Sequence, residues 1–82
     1  MQPAEIQDMI AAGFDDAVVR VASDDNTHFE ALVVASEFEG KRPLARHQLV
    51  YKTLGTLVGN EIHALSIRAF TPEEWSDQSP EG

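Results

Sequence analysis

The sequence predicts an α+β domain in the order αββααβα: a three-stranded mixed sheet whose helices cover one face. Three observations predict it. Two runs that alternate apolar residues, 17–23 and 28–35, flank a short polar turn and so describe a β-hairpin. Residues 43–58 repeat apolar side chains at helical spacing. A third alternating run, 62–70, follows that helix, so a strand returns to the sheet after a helical crossover. With 82 residues and 9.0 kDa, the chain holds one small domain with a thin core. We expect that domain to occupy residues 1–75 and residues 76–82 to form a disordered polar tail.

The first helix, residues 3–12, opens on Pro3, which suits a first helical position. Ile6, Met9 and Ile10 form its apolar stripe. Gly13 stops it, and Phe14 folds back onto the stripe. In the first strand Val19 and Val21 share a face. Ser23-Asp24-Asp25-Asn26-Thr27 is turn chemistry, with side chains that bond their own backbone. In the second strand Phe29, Ala31, Val33 and Ala35 face one way, and His28, Glu30, Leu32 and Val34 the other. Ser36-Glu37-Phe38-Glu39 has the form of a capping box and starts a short helical turn that Gly40 ends. On the long helix Leu44, His47, Tyr51, Leu54 and Val58 make the predicted core stripe, widened by Val50 and Leu57. Gly59-Asn60 ends it. The third strand sets His63, Leu65, Ile67 and Ala69 on one face. Thr71, Pro72 and Glu74 then cap a last short helix, with Trp75 packing back on the sheet.

Composition excludes several classes. The chain has no cysteine, which removes disulfides, thiolate zinc sites and a self-contained iron–sulfur cluster. No apolar run approaches the length of a transmembrane helix. The start, MQPAEIQDMI, has neither a basic region nor a long apolar core, so we expect no signal peptide and a cytoplasmic location. The net charge of −8 disfavours nucleic acid as a ligand. Its distribution tempers that: Lys41, Arg42, Arg46 and Lys52 put +4 on residues 41–60, while two basic against fourteen acidic residues leave −12 on the rest. The basic segment is either a solvated helix face or a docking patch for an acidic partner or nucleic acid.

Three histidines are candidate ligands. His47 lies mid-helix on or beside the apolar stripe, and His28 and His63 begin the second and third strands. Strand ends present side chains to partners, and neutral imidazole is a common metal ligand. No HxH, HxxxH or HExxH spacing supports a stable mononuclear site. No nucleophile elbow, P-loop or dinucleotide fingerprint is present, so we expect no enzyme activity. Gly40-Lys41-Arg42-Pro43 is similar to the GxxG loop of KH domains with proline in place of the second glycine, which weakens an RNA reading. The two helical segments around Gly40 also have the order of a helix-turn-helix.

Four elements in order make the pattern specific: Phe38-Glu39-Gly40-Lys41, Arg46-His47-Gln48-Leu49-Val50-Tyr51, Ile62-His63-Ala64-Leu65 and Thr71-Pro72-Glu73-Glu74-Trp75. With them the chain resembles the BolA family from about residue 6 to residue 75. The short N-terminus and the short turn at residues 24–27 look most like the bacterial IbaG/YrbA branch. The resemblance implies a fold similar to class II KH domains and partnership with a monothiol (CGFS) glutaredoxin. In that family the two proteins share a [2Fe–2S] cluster, held by the glutaredoxin cysteine and glutathione on one side and by histidine on the other. None is expected in the isolated protein. The histidine ligand carries over onto His63.

The family's second ligand comes from the hairpin loop, as histidine or cysteine, and residues 24–27 contain neither. His28, at the loop's end, is the candidate in its place. A chain without thiols can hold such a cluster only with a partner that brings them. Imidazole ligation implies a labile, transferable cluster that is sensitive to acid, since a protonated histidine cannot bind iron. The family is also linked to transcription control, cell shape and stress response, with the basic segment 41–52 as the nucleic-acid contact. Gly40, Lys41, Arg42, Arg46, His47 and Lys52 are therefore the expected docking residues, for glutaredoxin or for nucleic acid, with Arg46 and His47 open to a structural role. A homodimer is compatible with the sequence.

Overall fold

The computed structural model describes residues 1–62 and 64–78. Helix α1 (Pro3–Ala12) begins where the Glu5 carboxylate accepts the Gln2 N–H at 2.8 Å, satisfying a donor that the first turn leaves free. Ile6 and Ile10 are fully buried, with Met9 beside them. Gly13 ends the helix, yet its φ of −89° is open to any residue. What requires glycine is proximity: a Cβ there would run into the Thr53 side chain of the second long helix. Phe14 turns back as expected and meets the Phe38 ring edge-on, centroids 5.3 Å apart.

Strands β1 (Val18–Ala22) and β2 (His28–Val34) form the predicted hairpin, in register from Val18↔Val34 to Ala22↔Glu30. The turn between them is held by its own side chains. The Ser23 hydroxyl accepts the Asn26 N–H at 2.9 Å and donates to the His28 carbonyl at 2.6 Å. Strand β3 (Ala64–Phe70) lies parallel to β2, from His28↔Ala64 to Val34↔Phe70, so β2 is central in a mixed sheet. One face carries Val19, Phe29, Ala31 and Val33 into a core with Ile6 and Ile10 of α1 and with Val50 and Leu54 of α2 (Pro43–Leu54). Burying each large side chain contributes about 1.5–3 kcal/mol. Most of the other face is open, with Arg20, Leu32 and Arg68 in one cross-strand row, while Val34 at its end is buried. On the β1 edge, the Gln7 side-chain oxygen accepts the outward Val21 N–H at 3.2 Å, which blunts the edge.

Five expectations change. The long helix stops at Leu54 rather than 58, because Gly55 adopts φ +59° and starts a 3₁₀ turn (Gly55–Leu57). Ile62 then bridges to Val58 instead of opening β3, which begins at Ala64. The core stripe of α2 is also rotated. Val50 and Leu54 are buried, while Leu44 is 70% and Tyr51 39% exposed. Tyr51 sits about 100° round the helix from Val50, so both cannot face the sheet.

The Ser36–Glu39 capping box does not form. A 3₁₀ turn (Ser36–Phe38) stands there, closed by backbone bonds, and Gly40 leaves it at φ +75°. Glu37, outside that box, reaches back to accept the Asp15 N–H at 2.9 Å. Finally, α3 (Pro72–Gln78) runs through Ser76, Asp77 and Gln78, which were expected to belong to the tail. Its capping box is complete: the Thr71 N–H donates to Glu74 Oε1 at 2.9 Å and the Glu74 N–H to Thr71 Oγ1 at 3.1 Å. Trp75 packs on Phe70 of β3, centroids 5.4 Å apart. The remaining tail residues, 79–82, lie outside the described residues.

Candidate functional site

The hairpin turn and the first residue of β2 place one imidazole in solvent. The His28 side chain is 70% exposed, and its Nδ1 lies 2.9 Å from Asp25 Oδ2. The other Asp25 oxygen accepts the N–H groups of Thr27 and His28, each at 2.9 Å. These bonds hold the Asp25 carboxyl well below the usual carboxylate range, the His28 N–H first, then the His28 ring and the Thr27 N–H. Asp25 is therefore ionised at neutral pH and can only accept, so the Nδ1 that faces it carries a proton. His28 lines a shallow depression with Glu30, Ala64 and Ser66. Ala64 is its direct partner across β2 and β3. His63, the residue before Ala64, lies outside the described residues. Among the described residues no group of three histidine, aspartate or glutamate side chains could hold a metal.

The expected docking residues divide into two kinds. Gly40, Lys41, Arg42 and Lys52 are exposed. His47 is half-buried on the same helix, one turn beyond the exposed Leu44. Arg46, expected on the docking face, is turned inward. Its Nε donates to the Lys41 carbonyl at 2.8 Å, and Nη1 donates to the Ala69 carbonyl at 3.2 Å. Nη1 and Nη2 also bind the two Glu74 oxygens, at 2.6 and 3.1 Å. The guanidinium lies 5.9 Å from the centroid of the buried Phe38 ring. Only 12% of the Arg46 side chain is exposed. The bidentate pair and the Thr71 N–H lower the Glu74 carboxyl to about 2. Arg46 thus joins α2, the turn before it, the end of β3 and α3, and its fork is not free for a partner.

Two residues of this surface escaped the sequence reading. Leu44 and Tyr51 lie seven residues apart, on one face of α2, and add an apolar strip to the cations Lys41, Arg42 and Lys52. Helical spacing put them in the core, and only the docking of α2 turned them out. Asp25 escaped as well. Its one available signal was the Asx-turn pattern ahead of a histidine three residues on. The helix-turn-helix reading loses its first member, since one 3₁₀ turn (Ser36–Phe38) precedes Gly40.

A family model described as BolA-like protein matches residues 8–74. The acid stress protein IbaG of Escherichia coli strain K12 is 36% identical over 77 residues, 93% of this chain and 90% of that one. The DNA-binding transcriptional regulator BolA of Vibrio cholerae is 43% identical over 61 residues, 74% of this chain, which spans 58% of that relative's length. The structure of a BolA homologue from Coxiella burnetii superposes with a TM-score of 0.78 at 40% identity, covering 93% of this chain and 97% of that one.

Proposed function

Since the chain belongs to the BolA-like protein family, we propose that it is a non-enzymatic adaptor that partners a monothiol glutaredoxin and shares a [2Fe–2S] cluster with it. The observation that carries this reading is the His28 ring: exposed, tied at Nδ1, and paired in register with Ala64, the residue that follows His63. The donor set fits one half of such a cluster. Two imidazoles can replace two thiolates on one iron, as in Rieske centres, and the remaining thiolates must come from outside a chain that has no cysteine. The cluster is cargo of the complex. His63 is the first ligand and His28 the second. Lys41, Arg42, Leu44, Tyr51 and Lys52 form the docking surface, basic at its ends and apolar between, which suits an acidic partner with an apolar centre.

The test is a titration of the apo protein into a monothiol glutaredoxin that holds a glutathione-ligated [2Fe–2S] cluster, read by visible circular dichroism. A new spectrum with the wild type, absent with His63→Ala, is the expected result. Spectra that are identical with and without this protein would remove the cluster reading.

A second reading, a nucleic-acid-binding regulator of transcription, has one observation in its favour. The exposed cations Lys41, Arg42 and Lys52 flank the exposed Tyr51 ring, a pairing of charge and aromatic surface that suits a nucleic-acid strand. The net charge of −8 opposes it. On that reading binding weakens steeply with salt, and each cation removed lowers the salt slope by about 1. A salt-independent complex would exclude it.

A further inference from the structure

We propose that Asp25 is a positioning residue that keeps the His28 ring proton on Nδ1 and so presents a bare Nε2 as the metal-binding nitrogen. This rests on the reading of His28 as the second cluster ligand. The two oxygens of Asp25 have separate tasks. Oδ1 accepts the Thr27 and His28 N–H groups, both at 2.9 Å, so the carboxylate cannot turn without releasing two backbone donors. Oδ2 is left facing Nδ1 at 2.9 Å. The turn itself is braced, because Ser23 Oγ holds both the Asn26 N–H and the His28 carbonyl. An exposed imidazole with no partner divides itself between two tautomers and several rotamers. Here one tautomer and one ring orientation are selected, and the free lone pair is the outward one. A carboxylate on the far nitrogen is the arrangement that orients metal-binding histidines and strengthens their donation.

Asp25→Asn separates this task from the bracing of the turn. The asparagine keeps its carbonyl oxygen toward the two backbone N–H groups, since the reverse orientation would set an amide NH2 against both donors. Its NH2 then faces Nδ1 and needs a lone pair there. The ring proton moves to Nε2, and the outward nitrogen loses its capacity to bind metal. The loop survives and the tautomer reverses.

The experiment uses the full chain, ring-labelled with 15N and without metal, at a pH where histidine is neutral. Two-bond correlations between ring nitrogens and carbon-bound protons report which nitrogen carries the proton. The wild type is expected to show His28 protonated on Nδ1, and Asp25→Asn on Nε2, with the His47 ring and the backbone amides beyond the turn unchanged. A wild-type ring averaged over both tautomers, or an unchanged ring in Asp25→Asn, would overturn the inference. In the glutaredoxin titration, Asp25→Asn is expected to need about tenfold more protein for half the spectral change, and Asp24→Asn no more than the wild type. An Asp25→Asn titration that matches the wild type would also overturn it. His28→Ala behaving as the wild type would defeat the ligand reading instead, and the ring spectra tell that failure from a failure of Asp25.

Discussion

Where β3 ends, Arg46 is 12% exposed and commits its guanidinium to two carbonyls and a carboxylate. Where β2 begins, His28 is 70% exposed and commits one ring nitrogen to one carboxylate. Both contacts join a basic group to an acid within 3 Å, at opposite ends of one sheet. Burial and partner number separate them. Removing Arg46 would leave the part-buried Ala69 carbonyl and Glu74 carboxylate without their donor, which is costly. Removing His28 would return Asp25 to water, which solvates it well. A polar contact of the first kind holds a fold. One of the second kind aims a side chain at something outside it.

Arg46→Ala should break the first end most severely. We expect a loss of about 2–3 kcal/mol in urea denaturation, below the full cost of a buried pair because Glu74 is 45% exposed. Arg46→Lys should fall between, at about 1–2 kcal/mol, since an ammonium keeps the charge but cannot bind Glu74 through a fork while reaching both carbonyls.

Acid should distinguish the two ends next. The Glu74 carboxyl sits at about 2 in the fold against 4.5 as a free side chain. Its pair with Arg46 therefore contributes fully above about pH 4.5, and that contribution is lost as pH falls toward 2. Urea midpoints measured across that range should show wild type and Glu74→Gln converging in acid. A constant difference would mean that the ion pair is not what stabilises this end. His28→Ala should have the smallest effect on stability, under about 0.5 kcal/mol, while still altering the glutaredoxin titration. A large drop in its urea midpoint would place His28 among the structural contacts and erase the contrast.

Much of the fold was legible in the sequence because its signals are local. The alternation at residues 18–22 and 28–34 depends only on neighbours within each strand, and the hairpin formed as predicted. The Thr71–Glu74 box closes over three residues and is present. The similar Ser36–Glu39 pattern is not: the segment closes as a single 3₁₀ turn whose Phe38 ring competes for core space with side chains of α1 and α2. No local pattern contains that competition.

The candidate site follows the same division. Sequence alone determined the element order and the parity of each strand. It also determined the absence of thiols and the presence of a histidine at the start of β2, since chain order and covalent identity set these. Tertiary structure decided which stripe of α2 met the sheet, and so exposed Leu44 and Tyr51. It also decided that Arg46 serves the fold rather than a partner, and that His28 stands opposite Ala64. The physical reason is range. Backbone propensity and side-chain periodicity act over a few residues, whereas burial and hydrogen-bond partnership are settled only when distant segments compete for the same space.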